Sequence, residues 1–341
     1  MSRPTLAAAL LGTVALLAPA QAQQPPTTRP QEAPPAQQPQ QQQPQQPAQQ
    51  PQQQPTPPAP KPFTLEVEVD VVSVTAVVFD KAGRPVRGLG TKDVELLENG
   101  VKQEVSYFRE ASSLGDASER VPLSVVLVLD TSGSMKPNLS FLQEAVLNFV
   151  YKLEDVDTVL VVSFNDSVKG SAEFTGDTDR LERFVEGLQA WGGTSLYDAI
   201  HYSLGRIKDA PGRKALIVFS DGADTTSQMQ DRDVVDYARS VEATVYSIGF
   251  KASGFSSSRG FLRKIAAETG GQFFAPDKVG ELIKVFGEIS NELKNHYLLA
   301  YTPARPPDGT WREISLKVSR SDAEVRVRKG YFAVKRRRHA D

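Results

Sequence analysis

Residues 125–135 read Val-Val-Leu-Val-Leu-Asp-Thr-Ser-Gly-Ser-Met, an unbroken apolar run that ends abruptly in oxygen-bearing side chains. The apolar part is typical of a strand buried on both faces, as in a parallel sheet with helices above and below it. Asp130, Ser132 and Ser134 then alternate, and alternate side chains of an extended segment point the same way. Because open α/β sheets bind ligands at the carboxyl ends of their strands, we predict that these oxygens converge there. One carboxylate and two hydroxyls suit Mg²⁺, Mn²⁺ or Ca²⁺ better than zinc.

Two later segments supply further oxygens at strand-to-helix transitions. Residues 191–195, Trp-Gly-Gly-Thr-Ser, precede a predicted helix and offer the hydroxyl of Thr194. Residues 216–222, Leu-Ile-Val-Phe-Ser-Asp-Gly, form another apolar strand, which ends in the carboxylate of Asp221. Both segments therefore add a hard oxygen donor to the set that follows the first strand.

The Asp-x-Ser-x-Ser pattern, followed in order by the threonine and the second aspartate, resembles the metal-ion-dependent adhesion site (MIDAS) of von Willebrand factor type A domains. The resemblance covers about half of the chain. It implies one divalent cation, Mg²⁺ with Mn²⁺ or Ca²⁺ as alternatives, held by Asp130, Ser132, Ser134, Thr194 and Asp221. In the family the serines coordinate directly, the threonine does so directly or through water, and the aspartates often act through water. An acidic group of a protein partner then fills the remaining coordination position, which implies binding or adhesion rather than catalysis.

Two other readings of the same residues remain open, a metal-dependent hydrolase or phosphotransferase and a purely structural metal site. An aspartyl-phosphate phosphatase would need a second aspartate where Ser132 stands. A serine hydrolase would need Gly-x-Ser-x-Gly at a sharp turn, which residues 130–134 do not provide. No Gly-x-Gly-x-x-Gly follows a predicted strand, so the main sign of dinucleotide binding is missing. We therefore expect a protein that is not an enzyme.

The central region, residues 122–296, alternates predicted strands and helices and is interpreted as the type A domain. Alternating βα units predict a doubly wound, mostly parallel sheet with helices on both faces. The predicted strands are 124–129, 158–164, 215–220, 244–249 and 272–274, with an antiparallel edge at 168–174. The predicted helices are 142–153, 181–188, 196–207, 234–241, 262–267 and 282–293.

The flanks of this region have the two-residue period of β-strands. In residues 63–111, a hairpin with a type I′ turn at Asn99-Gly100 is predicted to join strands 94–98 and 101–108. In residues 297–334, strands are predicted at 297–301, around 314–318 and around 325–327. Neither group is large enough to be stable alone. We predict that both groups form one small antiparallel β-sandwich with the central domain inserted; the alternative is two independent β extensions.

The N-terminal part carries the signals of export. Residues 1–22 have a basic start, an apolar core and an Ala-Gln-Ala cleavage site, the pattern of a secretory signal peptide; an uncleaved anchor is the alternative. Residues 23–62 contain 16 Gln and 14 Pro among 40 residues, so they have almost nothing to bury and are predicted to be a disordered linker. A proline-rich ligand for another domain is the alternative. The protein is thus expected in the periplasm or secreted.

Composition limits the partners further. The chain has no cysteine, which excludes disulfides and thiolate sites. Its formal net charge of -2 argues neither for nor against nucleic-acid binding. We expect a protein partner, no nucleic acid and no integral membrane segment. The basic tail, residues 335–341, is interpreted as solvated, with contact to an anionic envelope surface as the alternative. The three histidines are interpreted as scattered surface or helix residues.

Overall fold

The computed structural model describes residues 71–111, 121–250 and 256–334, the last range without side chains for residues 256–258. The predicted signal peptide, the Gln/Pro linker and the basic tail lie outside the described residues. The described residues fall in one compact unit, Leu65–Asp341. None of the helices in the described ranges has the length and apolar character needed to cross a membrane.

The strands follow the sequence periodicity closely. In chain order they are β1 (Val72–Asp80), β2 (Val94–Glu98), β3 (Val101–Lys102), β4 (Val105–Glu110), β5 (Leu123–Asp130), β6 (Thr158–Phe164), β7 (Val168–Gly170), β8 (Arg213–Ser220), β9 (Thr244–Gly249), β10 (Phe273–Phe274), β11 (Tyr297–Tyr301), β12 (Trp311–Val318), β13 (Ala323–Val327) and β14 (Gly330–Phe332). The helices are α1 (Leu139–Val150), α2 (Thr178–Glu186), α3 (Leu196–Ile207), α4 (Asp231–Ser240), α5 (Ser256–Thr269) and α6 (Leu282–Lys294).

The central sheet has the strand order β10-β9-β8-β5-β6-β7. Its pairings are parallel except for β7, which pairs antiparallel with β6 at one edge. Strand β5 is buried along its whole length. Its alternate residues enter two different cores: Val125, Leu127 and Leu129 pack with α1 and α6, whereas Val126 and Val128 pack with α3, α4 and α5. This double burial is why β5 is an unbroken apolar run rather than an alternating one.

The two flanks together form an antiparallel β-sandwich. One sheet has the order β13-β1-β11-β4 and the other the order β14-β12-β2-β3, so each sheet combines strands from before and after the central domain. A third apolar core lies between them, with Val74 and Leu299 from the first sheet and Leu96 and Ile314 from the second. The fold-class prediction, an α/β domain with a small β-sandwich built from both flanks, is confirmed. The domain boundaries themselves stay a prediction.

The prediction of the second strand of the hairpin was wrong in one respect. The turn is as expected, since Asn99 and Gly100 have φ of 49° and 78°, both positive as a type I′ turn requires. The chain does not continue as one strand over 101–108, however. It breaks after β3 and crosses to the other sheet as β4, where it pairs with β11. Because of this break, residues 101–110 contribute one strand to each sheet of the sandwich.

The sandwich lies at the amino ends of the central strands, opposite the carboxyl ends where the site is predicted. The Arg213 side chain, at the start of β8, donates to the carbonyls of Val121 and Leu293, and the Ala111 N–H donates to the carbonyl of His296. His296 is 3% exposed, so its interpretation as a surface or helix residue was wrong. His296 lies between the end of α6 and the start of β11, and its side chain is buried there.

Candidate metal centre

The first loop of the site leaves β5 at Asp130, which is fully buried. The Ser132 N–H donates to Asp130 Oδ1 over 2.8 Å, and the Ser220 hydroxyl donates to Oδ2 over 2.7 Å. A 3₁₀ turn at Gly133–Met135 then bends the chain, and the Met135 side chain is buried in the core beneath it. Donors from two neighbouring strand ends therefore hold both carboxylate oxygens of Asp130.

Three of the predicted ligands, Ser132, Ser134 and Asp221, touch directly and are called the serine–aspartate group below. The Oγ atoms of the two serines are 3.0 Å apart, and Ser134 Oγ donates to Asp221 Oδ1 over 2.7 Å. Neighbouring ligand oxygens of an octahedral Mg²⁺, each about 2.1 Å from the metal, lie about 3.0 Å apart. Ser132 and Asp221 are buried and Ser134 is exposed, so the group opens to solvent at Ser134. Its spacing and its chemistry both fit a hard divalent cation.

Thr194 reaches the same sheet edge through its main chain. The Gly133 N–H donates to the Gly192 carbonyl over 3.0 Å, which joins the first loop to the second. The Thr194 N–H donates to Thr225 Oγ1 over 2.9 Å, and the Thr225 N–H donates back to the Thr194 carbonyl over 2.9 Å. In the described part of the chain, no hydrogen bond links the Thr194 hydroxyl to the serine–aspartate group. The structure thus brings four predicted ligands into one connected group and places the fifth on an adjoining loop.

Burial controls the charge of both carboxylates. It raises the pKa of Asp130 to about 6, against the hydrogen bonds from Ser132 and Ser220 and with a smaller contribution from the negative charge of Asp221. Burial also raises the pKa of Asp221, against the hydrogen bond from Ser134. A divalent cation would favour the charged form of both aspartates. The centre therefore holds two acids that are costly to ionise unless a positive charge is present.

In the predicted set of metal ligands, hydroxyls outnumber carboxylates. Within residues 71–111, 121–250 and 256–334, no three His, Cys, Asp or Glu side chains gather into a group that could hold a metal ion. The predicted centre combines two carboxylates with three hydroxyls, a set of hard oxygen donors. Its identification depends on the order and contacts of the loops rather than on clustered acidic residues.

Sequence reasoning missed Ser220 and Asp166. Ser220 precedes Asp221, and its position as the last residue of β8, next to a predicted ligand, was the available signal. Asp166 accepts a 2.6 Å hydrogen bond from the Gly193 N–H at its Oδ1. Nothing near Asp166 in the sequence indicates a partner 27 residues further on.

Two further carboxylates near the site, those of Asp224 and Asp198, hold its supporting loops. Asp224 Oδ2 accepts from the Tyr197 N–H over 3.0 Å and from the Ser227 hydroxyl over 2.5 Å. Asp198, in the first turn of α3, accepts from two N–H groups of the loop that follows β8. Both residues therefore connect α3 to that loop.

Residues 124–288 match the family model described as the von Willebrand factor type A domain. This part of the chain is a von Willebrand factor type A domain, as the resemblance in its loops implied.

Known proteins show the same similarity at low identity. The chain is 24% identical over 260 residues to inter-alpha-trypsin inhibitor heavy chain H4 of Bos taurus, a match that covers 69% of this chain and 26% of that protein. It is 26% identical over 210 residues to an uncharacterized protein of Synechocystis, covering 57% of this chain and 48% of that protein. Among solved structures, a von Willebrand factor type A protein from Catenulispora acidiphila aligns with a TM-score of 0.48 at 16% identity, covering 68% of this chain and 71% of that one. The chain therefore spans between about a quarter and about half of the length of these curated relatives.

Proposed function

We propose that this chain is an exported, non-enzymatic binding protein that captures a protein ligand through a divalent cation. The cation is Mg²⁺, with Mn²⁺ or Ca²⁺ as alternatives, and the ligand supplies an Asp or Glu carboxylate. The observation that carries the proposal is the direct contact of Ser132, Ser134 and Asp221 beside the buried Asp130. Four oxygen-bearing side chains from two strand ends meet there.

Each side chain has a distinct part in this proposal. Ser132 and Ser134 coordinate directly as neutral donors, and Thr194 does so directly or through water. Asp130 and Asp221 balance the charge of the cation, Asp130 from behind the serines because both of its oxygens already accept hydrogen bonds. The bound cation would supply a coordination position that a carboxylate of the partner can occupy. The exposed side of the group, at Ser134, gives the partner access.

The surroundings of the serines favour binding over catalysis. A nucleophilic serine needs a neighbouring base, most often a histidine. Of the two histidines in the described residues, His201 packs against Tyr237, with ring centroids 4.8 Å apart and ring planes tilted by 38°. The other, His296, is buried at the opposite edge of the sheet. The group that accepts a hydrogen bond from Ser134 is instead the carboxylate of Asp221.

Calorimetric titration of the full chain with MgCl₂, MnCl₂ and CaCl₂ tests the cation. We expect saturable uptake of one divalent ion by the wild type and none by Asp130→Ala. The matched control is Asp209→Ala, which removes an exposed carboxylate just before β8, at the far edge of the sheet. Uptake that survives Asp130→Ala, or absence of uptake by the wild type, would contradict the metal site.

Proximity labelling in the native host, with and without EDTA, tests the ligand. We expect a set of labelled proteins that is lost both with EDTA and with Asp130→Ala but kept with Asp209→Ala. Metal uptake without any divalent-dependent partner would favour the purely structural site. Turnover of phosphomonoester or ester substrates that depends on Asp130 would favour the hydrolase.

The proposal of export rests on the sequence pattern of residues 1–22. N-terminal sequencing of the protein recovered from periplasm or medium should begin at Gln23. A protein recovered only in the membrane fraction with Met1 intact would indicate an uncleaved anchor instead.

A further inference from the structure

We propose that Asp166 is a positioning residue of the metal centre, which fixes Thr194 although it is not one of the five predicted ligands. The inference rests on the proposed metal site. It adds that the contribution of Thr194 depends on a carboxylate in a different loop, between β6 and β7.

The main chain on both sides of Thr194 is held by two adjacent residues of that loop. The Gly193 N–H donates to Asp166 Oδ1 over 2.6 Å. The Ser195 N–H donates to the carbonyl of Asn165 over 2.7 Å. The Thr194 N–H is itself held by the loop after β8, so three consecutive N–H groups have acceptors on two neighbouring loops.

Asp166 makes the charged contact among these three. Hydrogen bonds to an ionised acceptor are shorter and roughly twice as strong as neutral ones. Asp166 is exposed, whereas the Asn165 side chain beside it is buried and accepts from the Ser167 N–H over 3.1 Å. The turn of the β6–β7 loop is therefore fixed from within, and it presents the Asp166 carboxylate to the glycine loop.

The two glycines before Thr194 support this assignment. A Cβ at Gly192 would collide with Asp166 Oδ2, and Gly192 has a φ of +75°. A Cβ at Gly193 would lie 2.6 Å from Asp166 Oδ1. The close approach of the carboxylate thus requires residues without side chains. Glycines also leave the backbone free to adopt other conformations, so the loop needs an external contact to hold Thr194 in one place.

The test measures Mn²⁺ affinity of the full chain by calorimetry in a double-mutant cycle with Thr194→Val. Loss of a partner that orients a metal ligand typically weakens metal affinity by about 10–100-fold. We expect Asp166→Ala to raise the Kd about tenfold in the wild-type background and less than about twofold when Thr194 is already valine. Asp166→Asn, which keeps the Oδ1 acceptor but not its charge, should recover part of the affinity, and Asp209→Ala should match the wild type.

Three outcomes would overturn the assignment. They are an Asp166→Ala protein with wild-type affinity, an equal loss in the Thr194→Val background, and an Asp166→Asn protein as weak as Asp166→Ala, which would mean that charge alone matters. Amide exchange of Gly193 in metal-free protein separates this inference from the proposed function. Protection that is lost in Asp166→Ala shows the contact in solution, even if the wild type takes up no Mn²⁺. A wild type without uptake would refute the metal site itself.

Discussion

Divalent-ion binding at this centre should weaken steeply below pH 6. Asp130 must be ionised to balance a cation, and burial raises its pKa to about 6. For one such proton the apparent Kd is multiplied by a factor of about 2 at pH 6 and about 11 at pH 5, relative to its plateau at high pH. The pKa of Asp221 is raised as well, so the observed loss should be at least this large.

The stability of the metal-free protein should have the opposite pH dependence at this residue. Folded Asp130 keeps its proton up to about pH 6, whereas the unfolded chain releases it near the ordinary value of 3.8. The folded state therefore binds more protons between these values. The contribution of Asp130 to the free energy of unfolding is full below about pH 4 and falls by about 3 kcal/mol as the pH rises through 6.

A second buried group must be separated from this effect. Burial, together with the nearby charge of Arg213, lowers the pKa of His296 from 6.5 to about 3. Its contribution to stability is therefore full above 6.5 and is lost as the pH falls towards 3. The contributions of Asp130 and His296 to the free energy of unfolding change in opposite directions over the same pH range. The difference in the free energy of unfolding between the wild type and Asp130→Asn isolates the contribution of Asp130, because His296 is present in both proteins.

Two measurements check this reasoning. Calorimetric titration with MgCl₂ between pH 5 and 7.5, in two buffers of different ionisation enthalpy, gives the Kd and the protons released per ion. Guanidinium unfolding of EDTA-treated wild type and Asp130→Asn gives the stability difference at each pH. A Kd that stays constant from pH 5 to 7.5, or uptake at pH 6 that releases no protons, would refute the proposed role of the Asp130 carboxylate.

Three further substitutions test the central sheet, the β-sandwich and the glycine loop before Thr194. Leu127→Ala, in the buried strand β5, should lower the free energy of unfolding by about 2–5 kcal/mol in guanidinium titration, because it leaves a cavity between packed layers. Arg312→Ala removes the 3.3 Å ion-pair partner of the buried Glu98 carboxylate and leaves it only the more distant Arg305, at 3.9 Å, so it should cost about 3 kcal/mol in the same assay. Gly192→Ala should abolish most MnCl₂ uptake, whereas Gly83→Ala, at a similar positive φ but with nothing within 4 Å of the added Cβ, should leave uptake unchanged.

Much of the fold followed from local patterns. The apolar run that ends at Leu129 predicted a strand buried on both faces, and β5 is buried from Leu123 to Asp130. The helix predicted over 196–207 begins and ends where expected, because apolar residues at helical spacing mark its buried face. The order of three loops along the chain was also enough to propose five ligands. Such features depend on neighbouring residues, so the sequence displays them directly.

The sequence could not reveal how distant segments meet. The Ser220 hydroxyl and Asp130 are 90 residues apart in the chain, and Asp166 and Gly193 are 27 residues apart. The crossing of β4 to the second sheet and the burial of His296 are also decided by strands far away in the chain. Residue type and periodicity set which face of an element is buried and where a strand ends. Only the packing of the layers fixes which side chains touch, because a contact between remote residues leaves no local pattern.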